Sequence, residues 1–204
     1  MNNVLPLFWI AVIIIGLAVQ PAVGQTGSAG GDGKYFYIRL APGLSAYRGD
    51  LSSINNDKSF FGFGVKAGAG YVMTREISVG LDYRIADYPR TKRPNIGNYT
   101  HNHTANIFAN YVFLTLRDFQ SYIQGGIGMT FFGLYDDPHK FKPAFSPAFG
   151  GGINFNVDPK FTLFIEGNID LILDDEAMDE RAGSRGMDAI GFFGLGVRMN
   201  LFPK

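Results

Sequence analysis

The 204-residue chain has no cysteine, a single tryptophan (Trp9) and no net charge. Without cysteine there is no disulfide framework, no thiolate metal site and no thiol to carry a lipid anchor. Without a basic excess nothing points to nucleic acid as a partner, and there is no acidic tail. No 3.6-residue periodicity after Lys34 runs long enough to indicate a helix. The longest apolar stretch, Val4 to Val19, is interrupted in shape by Pro6 and falls short of the ~20 residues a membrane helix needs. What the chain does have is glycine (27 residues), phenylalanine (19) and tyrosine (10), the glycine well above the usual share of about 7%.

The amino terminus reads as a secretory leader. Its apolar stretch ends in Pro21-Ala22-Val23-Gly24-Gln25, and the small residues Ala22 and Gly24 suit cleavage after Gly24. It departs from the usual pattern in one respect, since the first charge of the chain is Asp32 and no Lys or Arg precedes the apolar run. The expected division is a signal peptide over 1–24, a flexible Gly-rich linker over 25–33 and one folded domain over 34–204.

Beyond Lys34 the chain alternates. In FFGFGVKAGAGYVM (60–73) Phe61, Phe63, Val65, Ala67, Ala69, Tyr71 and Met73 share one parity, while Gly62, Gly64, Lys66, Gly68 and Gly70 share the other. The same pattern predicts eight strands, at about 34–48, 60–73, 77–88, 101–115, 121–134, 145–157, 160–173 and 189–202. Short turns at 74–76, 116–120 and 158–159 alternate with long polar connections at 49–59, 89–100, 135–144 and 174–188. An up-and-down meander, with tight turns at one end and four long loops at the other, accounts for that alternation.

Two faces emerge. One carries large apolar residues such as Phe63, Leu81, Ile107, Ile127, Phe149, Ile165 and Phe193; the other carries the glycines and isolated charges. A soluble sandwich would also alternate, but its strands are commonly about 5–6 residues, whereas these run to 10 or more, near the ~9–11 of a tilted membrane strand. Glycine weakens a water-facing strand, yet it suits the crowded inside of a narrow barrel. The apolar face therefore belongs to lipid, and Lys66 points into a packed interior. Tyr35, Tyr71, Tyr111, Phe113, Tyr122, Phe155, Phe161 and Phe202 are expected to form an aromatic girdle near the short turns.

These features resemble the OmpA/OmpX-type eight-stranded outer-membrane barrels of Gram-negative bacteria, over about residues 34–202. GGGINFNVDPKFTLFIEGNIDL (150–171) is similar to that family's strand, tight turn and strand, and GFFGLGVRMNLF (191–202) resembles its carboxy-terminal assembly signal, with Pro203-Lys204 added after it. The resemblance implies an all-β, transmembrane, up-and-down antiparallel β-barrel in the bacterial outer membrane. Its implied partners are outer-membrane lipid and lipopolysaccharide, the barrel-assembly machinery and a ligand at the extracellular loops. The chain is expected to be monomeric and to need no cofactor.

Inside such a barrel, Arg39, Lys66, Arg84 and Arg198 are matched by Asp82, Glu166 and Asp170. Buried charges have to be paired, so a structural charge network is expected, with a narrow ion path as the alternative; eight strands leave no room for a porin-sized channel. His101 and His103 share a strand face, and with His139 or the acids of 174–180 they are weak candidates for a metal site, which needs three or more ligands. A lipid A-modifying enzyme is the third class. No Ser adjoins the histidines and no G-x-S-x-G elbow occurs, so no catalytic residue is assigned; loss of turnover in His101→Ala or His103→Ala would be its mark. The leading expectation is a structural or surface-interaction role, with adhesion or partner binding through the loops. A lipocalin-like soluble barrel, with the faces reversed, is the alternative at the level of fold.

Overall fold

The structure is a computed structural model and describes residues 34–48, 60–88, 99–134, 137–173 and 188–201. Among them are β1 (Tyr35–Arg48), β2 (Phe60–Val72), β3 (Ile77–Asp87), β4 (Tyr99–Leu116), β5 (Phe119–Leu134), β6 (Asp137–Asn156), β7 (Phe161–Ile172) and β8 (Asp188–Leu201). Each strand pairs antiparallel with the next, and β8 pairs with β1 to close a barrel. Closure leaves no sheet edge through the barrel wall, which is what lets strands sit in hydrocarbon.

The register fixes the shape. A row of paired residues runs Tyr37, Gly70, Gly80, Phe108, Gly126, Ala148, Asp170, Ile190 and returns to β1 at Tyr47. It comes back ten residues from where it began (47 − 37 = 10). Ten residues at ~3.3 Å against eight strands ~4.8 Å apart give a strand tilt of roughly 40°, within the range of closed barrels. At that tilt the shortest strand, β3 with 11 residues, rises roughly 28 Å, matching the hydrocarbon thickness of a bilayer.

Side-chain direction follows the alternation. Phe63 (66% exposed), Leu81 (59%) and Ile107 (59%) point outward, while Lys66 (3%) and Arg84 (2%) point in. The glycines of 60–73 line the inside, opposite the apolar parity, as the sequence indicates. A bulge between Val112 and Leu114 breaks the parity in β4 and leaves Phe113 and Leu114 both exposed.

The connections depart from expectation in one place. Residues 135–144 were expected to form a long loop, but β5 runs to Leu134 and β6 begins at Asp137, paired with it. β6 pairs with β7 only from Ala148 onward, apart from a Leu173 N–H bond to the Phe145 carbonyl. The earlier part of β6 is thus an edge, where Pro143 can sit without disrupting a second ladder. The long connections are 49–59, 89–98 and 174–187, and together with residues 1–33, expected to hold the signal peptide and linker, they lie outside the described residues.

The tight turns have local causes. Thr74 Oγ1 accepts from the N–H groups of Glu76 (3.2 Å) and Ile77 (3.0 Å), and Asp158 Oδ1 accepts from those of Lys160 (2.6 Å) and Phe161 (2.8 Å). The β4–β5 turn has only Arg117 and Asp118 between paired Leu116 and Phe119, with Arg117 at φ 46°. That conformation costs a side-chain-bearing residue about 1 kcal/mol and suits glycine. Arg117→Gly is expected to raise unfolding stability by up to about 1 kcal/mol, read from the urea midpoint in lipid vesicles.

Candidate functional site

The lumen is where the chemistry-bearing side chains converge. Near mid-height Arg39 of β1 bridges Asp82 of β3 at 2.7 Å and Glu166 of β7 at 3.1 Å, and Lys66 of β2 lies 2.7 Å from the other oxygen of Glu166. Tyr122 donates its hydroxyl to Glu166 Oε2 at 3.2 Å. Toward the long-loop end Arg84 lies 2.7 Å from Asp170 and donates to Thr104 Oγ1 at 3.1 Å. Asn106 ties the two levels together, donating to Asp170 at 3.1 Å and to Asp82 at 3.4 Å. From Thr104 a hydroxyl chain continues to Thr130 (3.3 Å) and Ser146 (3.0 Å).

Aromatic rings pack into the same space. The Arg39 guanidinium lies 4.2 Å from the Phe108 ring centroid, and Lys66 and Arg84 lie 5.2 and 5.6 Å from that of Phe192, close enough for the ring faces to attract the cations. These rings explain the glycines. A Cβ on Gly80 would stand 2.6 Å from Phe108 Cζ, one on Gly194 2.6 Å from Phe192 Cε1, and one on Gly152 2.7 Å from the Tyr122 hydroxyl. Tyr37 and Phe164 lie over Gly70 and Gly196 in the same way. An interior aromatic lying over a strand glycine fills the space the missing side chain leaves. A bulky residue at Gly80 or Gly152 must displace a ring that itself packs on the charge network.

Of the residues singled out from sequence, Arg39, Lys66, Asp82, Arg84, Glu166 and Asp170 come together in these ion pairs. Arg198 also turns inward but stands apart near the short-turn end, donating to Thr162 Oγ1 at 3.2 Å with its guanidinium 5.2 Å from the Tyr37 ring. The interior rings Tyr37, Phe108, Phe164 and Phe192 were not singled out, although each falls on the inward parity beside glycine or polar residues. Tyr122 was expected in the outer girdle. It is 4% exposed and bonds to Glu166, because it shares its parity with Gln124 and Gly126 and has a buried acceptor within reach.

His103 lies on the outer wall, where Tyr83 OH and His103 Nδ1 are 2.6 Å apart. A tyrosine hydroxyl facing hydrocarbon needs a partner, and His103 supplies it. The backbone of His101 pairs with that of Asp87, but its side chain, that of His139 and the acids of 174–180 lie outside the described residues. Among the described residues no group of three or more His, Asp or Glu could hold a metal ion.

Known proteins agree with the fold. The profile of the outer membrane protein beta-barrel domain matches residues 15–113. No curated protein matches the chain in sequence. Neisserial surface protein A (NspA) superposes with a TM-score of 0.62 at 17% identity, covering 83% of this chain and 99% of that one. Ail, the attachment invasion locus protein of Yersinia pestis, gives 0.51 at 18% identity, covering 84% and 100%. At such identities the likeness carries the fold.

Proposed function

We propose that this chain, an eight-stranded transmembrane barrel of the outer-membrane type, is a surface-interaction protein whose closed barrel presents the long-loop end for adhesion or partner binding. One observation carries this. At mid-height the lumen is filled by Arg39, Lys66, Asp82 and Glu166, each no more than 7% exposed, with Phe108 and Phe192 stacked against the cations. A wall given to lipid and a lumen given to packing leave the two ends for recognition. In outer-membrane barrels the short turns face the periplasm and the longer loops the outside. Ail, the attachment invasion locus protein of Yersinia pestis, shares this fold at a TM-score of 0.51. Outer-membrane lipid and lipopolysaccharide would contact the outer wall and rim, and the barrel would be inserted as a monomer by the assembly machinery. Catalysis is not part of the proposal.

Replacing residues 49–59, 89–98 and 174–187 with short turns tests it. The expected outcome is a barrel that keeps its heat-dependent gel mobility while bacteria expressing it lose adherence to cultured epithelial cells. Undiminished adherence would exclude the loops as the binding surface.

A second reading rests on the sharing of Glu166 by Arg39 and Lys66, which gives the pairs alternative partners through which an ion could pass. Glu166→Gln would then change single-channel conductance in planar bilayers; unchanged conductance, or none in either protein, removes that reading.

A further inference from the structure

The interior charges are unevenly placed along the barrel. Arg39, Lys66 and Arg84 occupy Asp82, Glu166 and Asp170, and Asp188 lies at the opposite, long-loop end with Tyr47. Arg198 is left with no carboxylate among the described residues. It pairs in register with Arg39 across the β1–β8 seam, so its neighbour is another cation whose anions are already engaged. Its Nε is buried and has no hydrogen-bond partner among the described residues. A cation held partly out of water without a counter-charge is unfavourable, so this position favours an anion.

Other atoms at the same end are also unsatisfied. Tyr37 OH and Asn200 Oδ1 are buried without partners among the described residues, on residues paired with each other beside Arg198. On the facing wall Asn110 Oδ1 and Gln124 Oε1 are in the same condition, again on paired residues. The Nε edge of a guanidinium is a planar, two-pronged donor whose natural complement is a carboxylate. The amide oxygens accept from N–H or O–H donors, which a bare halide lacks.

We propose that the short-turn mouth of the barrel is a carboxylate-binding site anchored by Arg198, suited to an amino-acid- or peptide-like carboxylate whose N–H groups meet the amide oxygens. The carboxylate has two sources: a free solute entering that mouth, or Asp32, the one acid in the segment 25–33 that leads into β1.

The test uses the full chain folded in detergent micelles, following the ¹⁵N Nε–Hε resonance of Arg198 and the amides of Tyr37 and Asn200. Sodium acetate is the probe, with sodium chloride at matched ionic strength as baseline. A saturable acetate response that Asp32→Asn leaves unchanged assigns a free carboxylate. A shift caused by Asp32→Asn alone, with acetate titrating only in that variant, assigns the chain's own. Arg198→Gln, with heat-dependent mobility as proof of folding, should abolish the acetate response at Tyr37 and Asn200. No saturable response in either the unaltered chain or Asp32→Asn overturns the proposal, as does a response that survives Arg198→Gln.

Discussion

Replacing Glu166 with Ala is expected to lower the unfolding free energy of the barrel by roughly 3–5 kcal/mol, the usual cost of removing one partner from a buried ion pair. Glu166 is 1% exposed and its two oxygens meet Lys66 at 2.7 Å, Arg39 at 3.1 Å and the Tyr122 hydroxyl at 3.2 Å. Arg39 would keep Asp82, so the penalty falls mainly on Lys66, which would have no carboxylate among the described residues. The double variant Glu166→Gln with Lys66→Met should therefore be more stable than Glu166→Ala, since it removes the stranded cation along with its anion. Urea unfolding in lipid vesicles, followed by gel mobility without boiling, measures both; tryptophan fluorescence is unsuitable because the one tryptophan, Trp9, precedes β1 by 26 residues in sequence and is not in a strand of the barrel. A loss below about 1 kcal/mol would mean that water solvates this position and that the lumen is not packed as described.

The second large effect is on the outer wall. Ile107→Arg should cost about 2–4 kcal/mol, the range for a cationic residue on the lipid face near the bilayer midplane. Ile107 is 59% exposed, and its paired neighbours Leu81 and Ile127 are 59% and 54% exposed. On a water-facing surface the same exposure would make the substitution nearly neutral, within about 0.5 kcal/mol. The sign and size of this one change thus separate a lipid-facing wall from a solvated one. The same unfolding assay reads it, with Thr74→Ala at an exposed turn as a comparison whose loss should be much smaller.

The alternation made the strands and faces legible, because a period of two is imposed by the backbone and survives any register. It could not say which cation takes which acid. Lys66 and Arg84 are direct neighbours in register, yet they reach across the lumen to different acids of β7, Glu166 and Asp170; that choice follows from the ten-residue stagger, which no single strand encodes. The inward aromatics escaped notice for a related reason. Phe192 and Phe193 are adjacent and equally apolar; the alternation turns Phe193 outward, but that Phe192 lies over Gly43 and Gly194 depends on the register across the β1–β8 seam. The β6 arm was obscured by Pro138 and Pro143, which read as loop until one edge of that strand is seen to leave β7. The place of His103 beside Tyr83 likewise depends on cross-strand register, which brings residues twenty positions apart into contact.

The absence of cysteine allows the central claim to be tested with single substitutions. Ile107→Cys, carrying an environment-sensitive fluorophore, would be reconstituted in vesicles containing nitroxide-labelled lipids. If the apolar face meets hydrocarbon, the fluorophore is quenched by nitroxides placed deep in the acyl chains, and the unlabelled thiol resists water-soluble maleimide until the barrel is unfolded. A thiol at Ile107 that reacts freely with the water-soluble reagent in the folded protein, with no quenching from lipid, would contradict the account and place the apolar face in water.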